Sequence, residues 1–251
     1  GGYVMNSQPG IYDNVLVLDF KSLYPSIIRT FLIDPCAFWI AQHRQLDEKQ
    51  TVPGFNGAYF ARDDHILPQI IEQLSAARDR AKQHKDAPLS HAIKIIMNSF
   101  YGVLGSMGCR FFDPRVCSSI SLRGHDIIQR SRDWIEQQGY AVIYGDTDSL
   151  FVWLENNCKG LPAKNPAQCD VIGKRLAKEL NQWWQKTIHT EFNIKSALEI
   201  QYETHYLRFL MPTIRGSELG TKKRYAGLIE VNGEREMVFK GLENVRTDWT
   251  Q

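Results

Sequence analysis

The stretch 142–153 reads VIYGDTDSLFVW, two runs of strand-forming apolar residues interrupted by Asp146 and Asp148. The flanks AVIYG (141–145) and SLFVW (149–153) have the length and residue types of strands. The few residues between them predict a β-hairpin closed by a tight turn. Acidic side chains sit poorly beside such strands unless something cationic meets them. Alone, the DTD triplet is equally well a hydrated turn, where Asp is common.

Upstream, NVLVLDF (14–20) is almost wholly apolar, as a buried strand should be, and ends on Asp19 and Phe20. SSISLRGHDIIQRSRDWIEQQG (118–139) sets Ile120, Ile127, Ile128 and Ile135 near helical spacing, with Gly139 after the last turn. Downstream, ENNCKGLPAKNPAQ (155–168) reads as a loop. CDVIGKRLAKELNQWWQKTI (169–188) reads as an amphipathic helix with Ile172, Leu176, Leu180 and Trp184 buried. SALEIQYE (196–203) alternates as a strand. Strand, helix, strand, strand, helix, strand is the split βαβ (ferredoxin-like) order. The expected fold class is therefore α+β, an antiparallel sheet with both helices on one face.

Residues 31–104 are too many for a simple crossover and predict an excursion. Within it, ILPQIIEQLSAARDRAKQHK (66–85) and PLSHAIKIIMNSFYGVLG (88–105) predict an antiparallel helical pair. Residues 36–65 carry mixed signals and receive no assignment. RYAGLIEV and EREMVFKG flank Asn232-Gly233, a strong hairpin signal.

At 251 residues, 43% apolar and 23% charged, the composition is that of a soluble globular protein with a real core. A net charge of +2 implies no polyanionic partner by itself, so any such partner must be read from local clusters. No apolar run approaches the roughly 18 residues of a membrane helix. The start, GGYVMNSQPG, has no leader character, and both ends suggest a piece cut from a longer protein. Five scattered cysteines without a CxxC pair argue against zinc and against a disulfide framework, and favour a reducing cytoplasm.

In this fold Asp19 ends one strand while Asp146 and Asp148 sit at a neighbouring hairpin tip. Two carboxylates ~4 Å apart at an effective dielectric near 20 repel by about 4 kcal/mol. Proton uptake or a divalent cation relieves that. Oxygen-only ligands favour Mg²⁺ or Mn²⁺ over zinc. After Asp19, FKSLYPSII predicts a Pro-containing turn leading into a helix that starts near Ser26. The backbone N–H groups of Ser22, Leu23 and Tyr24 would form an anion nest there. Arg78 and Lys82 share one face of the first long helix, and Lys94, Asn98 and Tyr101 one face of the second. Opposite a carboxylate cluster, these two stripes read as a clamp for a phosphate chain. Two metals bridging Asp19 and Asp148 would then activate a hydroxyl and stabilise a leaving pyrophosphate, which is nucleotidyl transfer.

DFKSLYPSII (19–28), KIIMNSFYG (94–102) and YGDTDS (144–149) resemble motifs A, B and C of the family B DNA polymerases. KKRYAG (222–227) and FKGLENVRTDW (239–249) are also similar to that family, in its order and over nearly the whole chain. The resemblance implies a palm at residues 1–32 and 108–251, running to the start of a truncated thumb, and fingers at 33–107. It implies two Mg²⁺ ions, replaceable by Mn²⁺, on Asp19, the Phe20 carbonyl and Asp148, with Asp146 a less direct participant. Tyr24 would exclude a 2′-hydroxyl. Arg78, Lys82 and Lys94, assisted by Asn98, would grip the triphosphate. Tyr101 and Gly102 would pack at the nascent base pair, and Lys222, Lys223, Arg224 and Tyr225 would meet the duplex. The implied partners are primer-template DNA and deoxynucleoside triphosphates, with a sliding clamp engaged through parts outside this chain, in a bacterial cytoplasm.

A polymerase-like DNA-binding scaffold without chemistry is the alternative, especially for an isolated piece. Such degenerate relatives lose the metal carboxylates, and here Asp19, Asp148, Lys94 and Tyr24 are intact. A two-metal nuclease or cyclase is disfavoured by the Arg78, Lys82 and Lys94 face, since hydrolysis of DNA has no triphosphate to hold. No Asp-x-Glu triplet of the family's proofreading exonuclease occurs in the chain.

Overall fold

A computed structural model describes residues 2–155, 165–213 and 220–242. Most of the expected 155–168 loop and the end of the 239–249 segment, with the expected start of a thumb, lie outside the described residues. The elements begin with β1 (Gly10–Phe20), α1 (Leu23–Phe31), α2 (Pro35–His43), β2 (Thr51–Pro53) and β3 (Tyr59–Ala61). Next come α3 (Leu67–Gln83), α4 (Ala87–Leu104) and α5 (Pro114–Gln137). The chain continues with β4 (Ala141–Asp146), β5 (Ser149–Trp153), α6 (Pro166–Phe192), β6 (Ile200–Met211), β7 (Tyr225–Val231) and β8 (Glu234–Lys240). The fold is α+β. No helix among the described residues is long and apolar enough to cross a membrane.

The chain divides into two compact units. The sheet unit comprises Gly2–Phe20, Ile127–Asn181 and Ile200–Gln251. Its six strands run in the order β4-β5-β1-β6-β7-β8, and every pairing is antiparallel. β1 is buried because its interior, VLVL at 15–18, carries no polar side chain and is covered on both faces. The strand begins at Gly10, earlier than the apolar run alone indicates, because β6 extends to Met211 and offers it partners from Gly10 onward. Tyr144, Phe151, Tyr206 and Phe209 pack into one aromatic core with Tyr225 against it. Ring centroids there lie 5.1 to 5.3 Å apart for Phe151, Phe209 and Tyr225, within the range where edge and tilted contacts add to burial.

The strand expected over 196–203 starts instead at Ile200. Asn181 explains the boundary: its side chain both accepts from the Ile200 N–H (2.9 Å) and donates to the Ile200 carbonyl (2.9 Å). The stripe expected on α6 holds at Leu176, Leu180 and Trp184 and departs only at its first position. Leu176 and Leu180 are fully buried, whereas Ile172 is only half-buried and Gly173 is buried in its stead. The Tyr202 ring lies so close to Gly173 that a Cβ there would meet it at 2.7 Å. Glycine is what lets that ring approach the helix backbone.

The helical unit comprises Lys21–Asp126 and Gln182–Glu199. Its α1 starts at Leu23 rather than near Ser26, so Pro25 falls inside the first turn. Proline is tolerated there because first-turn N–H groups have no intrahelical acceptor. Residues 36–65, which carry no clear periodicity, hold most of α2 and the short β2–β3 hairpin. The carboxylate of Asp34, 1% exposed, fixes two helix starts at once. It caps α2 through the Ala37 N–H and also accepts from the N–H groups of Ile66 and Leu67 at the start of α3. Arg123 is buried with its guanidinium 4.4 to 4.9 Å from the ring centroids of Phe31, Phe55 and Phe192. It also donates to the Pro53 carbonyl at 3.1 Å, and thereby ties α1, the β2–β3 region and the end of α6 to α5.

Candidate active site

Register places the carboxylates of the sheet unit. Asp19 on β1 and Asp146 on β4 both pair with Ser149, the first residue of β5. Residues paired directly across neighbouring strands share a face, so Asp19, Ser149 and Asp146 form one row. Their outer Cα atoms stand about two strand spacings, roughly 10 Å, apart. Asp148 lies in the turn one residue before that row, and its carbonyl accepts from the Phe20 N–H at 2.8 Å. All three aspartates are half-buried. The structure thus brings Asp19, Phe20, Asp146 and Asp148 to one end of the sheet.

The turn that carries them is held from outside. Thr147 has a positive φ of 53°, costly for a β-branched residue. Its N–H donates to the Tyr3 carbonyl at 2.7 Å, and the Met5 N–H donates to the Gly145 carbonyl at 2.9 Å. A short bridge between Val4 and Asp146 lies between those bonds. The Asp146 carboxylate accepts from the Thr147 hydroxyl at 3.0 Å and lies 3.5 Å from the Lys223 ammonium. The Lys223 N–H in turn donates to the Tyr144 hydroxyl at 2.9 Å. Burial, aided by the nearby Asp146 charge, pushes the Tyr144 phenol up to about 12. Lys223 therefore touches the acidic hairpin itself. Lys222 and Arg224 are exposed, and the Tyr225 ring packs on the aromatic core.

In the helical unit, Ser22 precedes α1 with a left-handed φ of 49°, and its hydroxyl accepts from Arg78 Nη1 at 3.3 Å. Tyr24 lies against Tyr101, ring centroids 4.6 Å apart. On its other side Gly124 of α5 offers bare backbone, where a Cβ would meet the Tyr24 ring at 3.1 Å. Tyr24 is held between two elements, with its ring orientation set by both. Arg78, Lys82 and Lys94 line one groove between α3 and α4, about 500 Å³ in volume, together with Lys85, Ser90 and His91. Partial burial, then the Arg78 and Lys21 charges, lower the Lys82 ammonium below its ordinary value. An anion entering the groove would reverse that.

Asn98 is exposed one turn beyond Lys94 and is not part of the groove lining. A Cβ at Gly102 would meet nothing within 4 Å, so no neighbour in the chain requires a glycine there. Lys85 and His91 went unnoticed in the sequence because they flank the turn between the helices. Only closure of the pair brings them beside Lys82 and Lys94.

Among the described residues, no three His, Cys, Asp or Glu side chains gather as a protein-only metal cage. The aspartates at the sheet end nevertheless suit a hard cation. They offer only oxygen, and Mg²⁺ is typically held by one or two carboxylates with phosphates and water completing its shell.

An α+β chain with an aspartate-tipped hairpin and a basic helical groove defines a class, and the sequence model of DNA polymerase family B matches residues 1–251. The chain belongs to that family. It is 55% identical over 250 residues to DNA polymerase II of Escherichia coli strain K12, covering 100% of this chain and 31% of that protein. It is 31% identical over 264 residues to the DNA polymerase of Thermococcus sp. strain 9oN-7, covering 100% of this chain and 30% of that protein. Identity to the DNA polymerase alpha catalytic subunit of Drosophila melanogaster is 28% over 269 residues, again 100% of this chain but 16% of that protein. The chain spans less than a third of the length of each of these relatives.

Proposed function

We propose that the chain is the catalytic core segment of a DNA-directed DNA polymerase, which joins deoxynucleotides to a primer 3′-hydroxyl and releases pyrophosphate. The observation that carries this reading is the row of Asp19, Ser149 and Asp146 with Asp148 beside it at one end of the sheet. In this reading residues 1–32 and 108–251 form a palm of split βαβ type and 33–107 the fingers. The strand order β4-β5-β1-β6 supports the palm, and the α3–α4 pair supports the fingers.

Asp19, the Phe20 carbonyl and Asp148 would hold the divalent ions. Two such ions, when bound, supply an activated hydroxyl and neutralise the leaving oxygens of an in-line displacement. Asp146 takes a supporting part, since Thr147 and Lys223 already engage its carboxylate. Arg78, Lys82 and Lys94 grip the triphosphate, with Asn98 assisting and Lys85 and His91 extending the same groove. The first-turn N–H groups at Ser22, Leu23 and Tyr24 add fixed dipoles toward a phosphate. Tyr24, wedged by Tyr101 and Gly124, presents an unyielding ring that excludes a 2′-hydroxyl by shape. Gly102 lets a base pair approach the helix backbone, next to Tyr101. Lys222, Lys223, Arg224 and Tyr225 belong to the stretch that meets the duplex.

The test is primer extension with Mg²⁺ and deoxynucleotides, by this chain and by E. coli DNA polymerase II carrying this chain in place of its matching segment. The hybrid should extend a primer, and Asp19→Asn in it should lower the rate by about a thousandfold, a loss of about 4 kcal/mol of charge stabilisation. Undiminished extension by that variant would remove Asp19 from the chemistry. In the same hybrid Tyr24→Ala should raise ribonucleotide incorporation, and an unchanged sugar preference would remove Tyr24 from the gate.

A further inference from the structure

A second basic cavity lies wholly within the helical unit, apart from the Lys82 and Lys94 groove. It has a volume of about 360 Å³ and is lined by Arg29, Arg62, His65 and Lys195, with Glu72 its only carboxylate. None of the residues assigned above to metal, nucleotide or DNA lines it.

Two polar atoms in this lining are buried without a hydrogen-bond partner, Arg62 Nε and His65 Nδ1. Buried donors are nearly always paired, and an orphan asks for a partner outside the protein. The rest of Arg62 is accounted for. Its terminal nitrogens donate to the carbonyls of Phe192 (2.7 Å) and Asn193 (3.3 Å) at the end of α6, a favourable place for a cation. That anchoring leaves Nε as the one buried nitrogen of Arg62 without a partner. Arg29 reaches Glu72 only at 3.7 Å, a loose pair that a stronger acceptor can displace.

Three permanent cations thus surround one carboxylate. Water would pair the two orphan nitrogens but would leave the positive charge unanswered. A carboxylate ligand would offer one charge in one plane. A phosphate group carries up to two charges and oxygens in several directions, which suits the Arg29 guanidinium, the Arg62 Nε–H, the Lys195 ammonium and the His65 ring nitrogen around one cavity. We infer that the cavity between Arg29, Arg62, His65 and Lys195 is a binding site for a phosphate group, either free or borne by a nucleotide. The site is independent of the polymerase reading, because it shares no residue with the proposed triphosphate grip.

Proton NMR of the whole chain tests it. The His65 ring signal, identified by its loss in His65→Gln, is followed during titration with inorganic phosphate and separately with AMP. The expected result is a saturable shift with either probe, whose midpoint rises about tenfold in Lys195→Gln and returns in Lys195→Arg. A markedly lower midpoint with AMP assigns the site to nucleotides, and equal midpoints assign it to the oxyanion alone. Lys195 is exposed, so its loss should not unfold the chain, and Lys85→Gln in the other groove should leave the His65 midpoint unchanged. The inference is overturned if the His65 signal stays still while the His91 signal moves, or if Lys195→Gln leaves the midpoint where it was.

Discussion

Two short turns close hairpins of the same sheet, and they rest on opposite principles. Asn232 and Gly233, joining β7 to β8, both have positive φ, 53° and 83°. A type I′ turn needs that, and these residue types adopt it at little cost. Between β4 and β5 the positive φ, also 53°, falls on Thr147, where it costs about 1–2 kcal/mol. The first turn is self-sufficient. The second is kept in shape by Tyr3, Met5 and Lys223, all distant in sequence. Turn chemistry accounts for the residues of one hairpin, and in the proposed reading the duties of its aspartates account for those of the other.

The comparison breaks most sharply at the aspartates. In the hybrid polymerase Asp148→Asn should slow primer extension about a thousandfold, while Asn232→Asp, which keeps a left-handed-tolerant residue, should leave the rate nearly unchanged. A comparable loss from both would mean that any change at a hairpin tip is harmful.

A side chain at Gly145 would meet the Met5 sulfur at 2.6 Å, whereas one at Gly233 would meet nothing within 4 Å. Gly145→Val should therefore destabilise the chain by about 2–3 kcal/mol through overpacking. Gly233→Ala should cost only about 1 kcal/mol, from backbone strain. Urea unfolding curves measure both, and equal costs would mean that the N-terminal segment does not press on the hairpin.

Tyr144→Phe removes the acceptor of the Lys223 N–H and should cost about 1 kcal/mol near neutral pH. It should also flatten the alkaline limb of stability. The phenol is raised to about 12 in the folded chain against about 10 when unfolded. The unfolded chain thus loses its proton first, so stability present below about pH 10 is lost as pH rises toward 12. The variant should lack this share of the decline, and an identical slope in both proteins would contradict the assignment.

The smallest effect is a reciprocal exchange. Thr147→Asn should relieve strain and gain about 0.5 kcal/mol, the lost hydroxyl bond to Asp146 offsetting part of the benefit. Asn232→Thr should cost about 1 kcal/mol. Thermal unfolding reads both signs, and matching signs would erase the distinction between the turns.

Much of this was legible in the sequence wherever local pattern and tertiary packing agree. Ile120, Ile127, Ile128 and Ile135 are all fully buried on α5, because one stripe faces one core. The Asn232-Gly233 turn was legible because two residues suffice to specify it. The start of α1 was not, since proline in a first turn and proline before a helix look alike until the neighbouring bonds are known. Residues 36–65 were opaque because β2 and β3 have three residues each, too few to show a period. In the site, Asp19, Asp146 and Asp148 announced themselves by their apolar flanks. The Lys223–Asp146 pair spans two distant segments, and no pattern along the chain foretells a contact of that kind.

The central claim is that hard cations bind at the aspartate end of the sheet. Its most direct measurement is Mn²⁺ binding by the chain in the presence of dATP, followed by electron paramagnetic resonance. The account predicts that Asp19→Asn and Asp148→Asn each weaken Mn²⁺ binding about tenfold or more, while Lys223→Gln does not weaken it. Mn²⁺ binding by Asp19→Asn as tight as that of the parent chain would contradict the account.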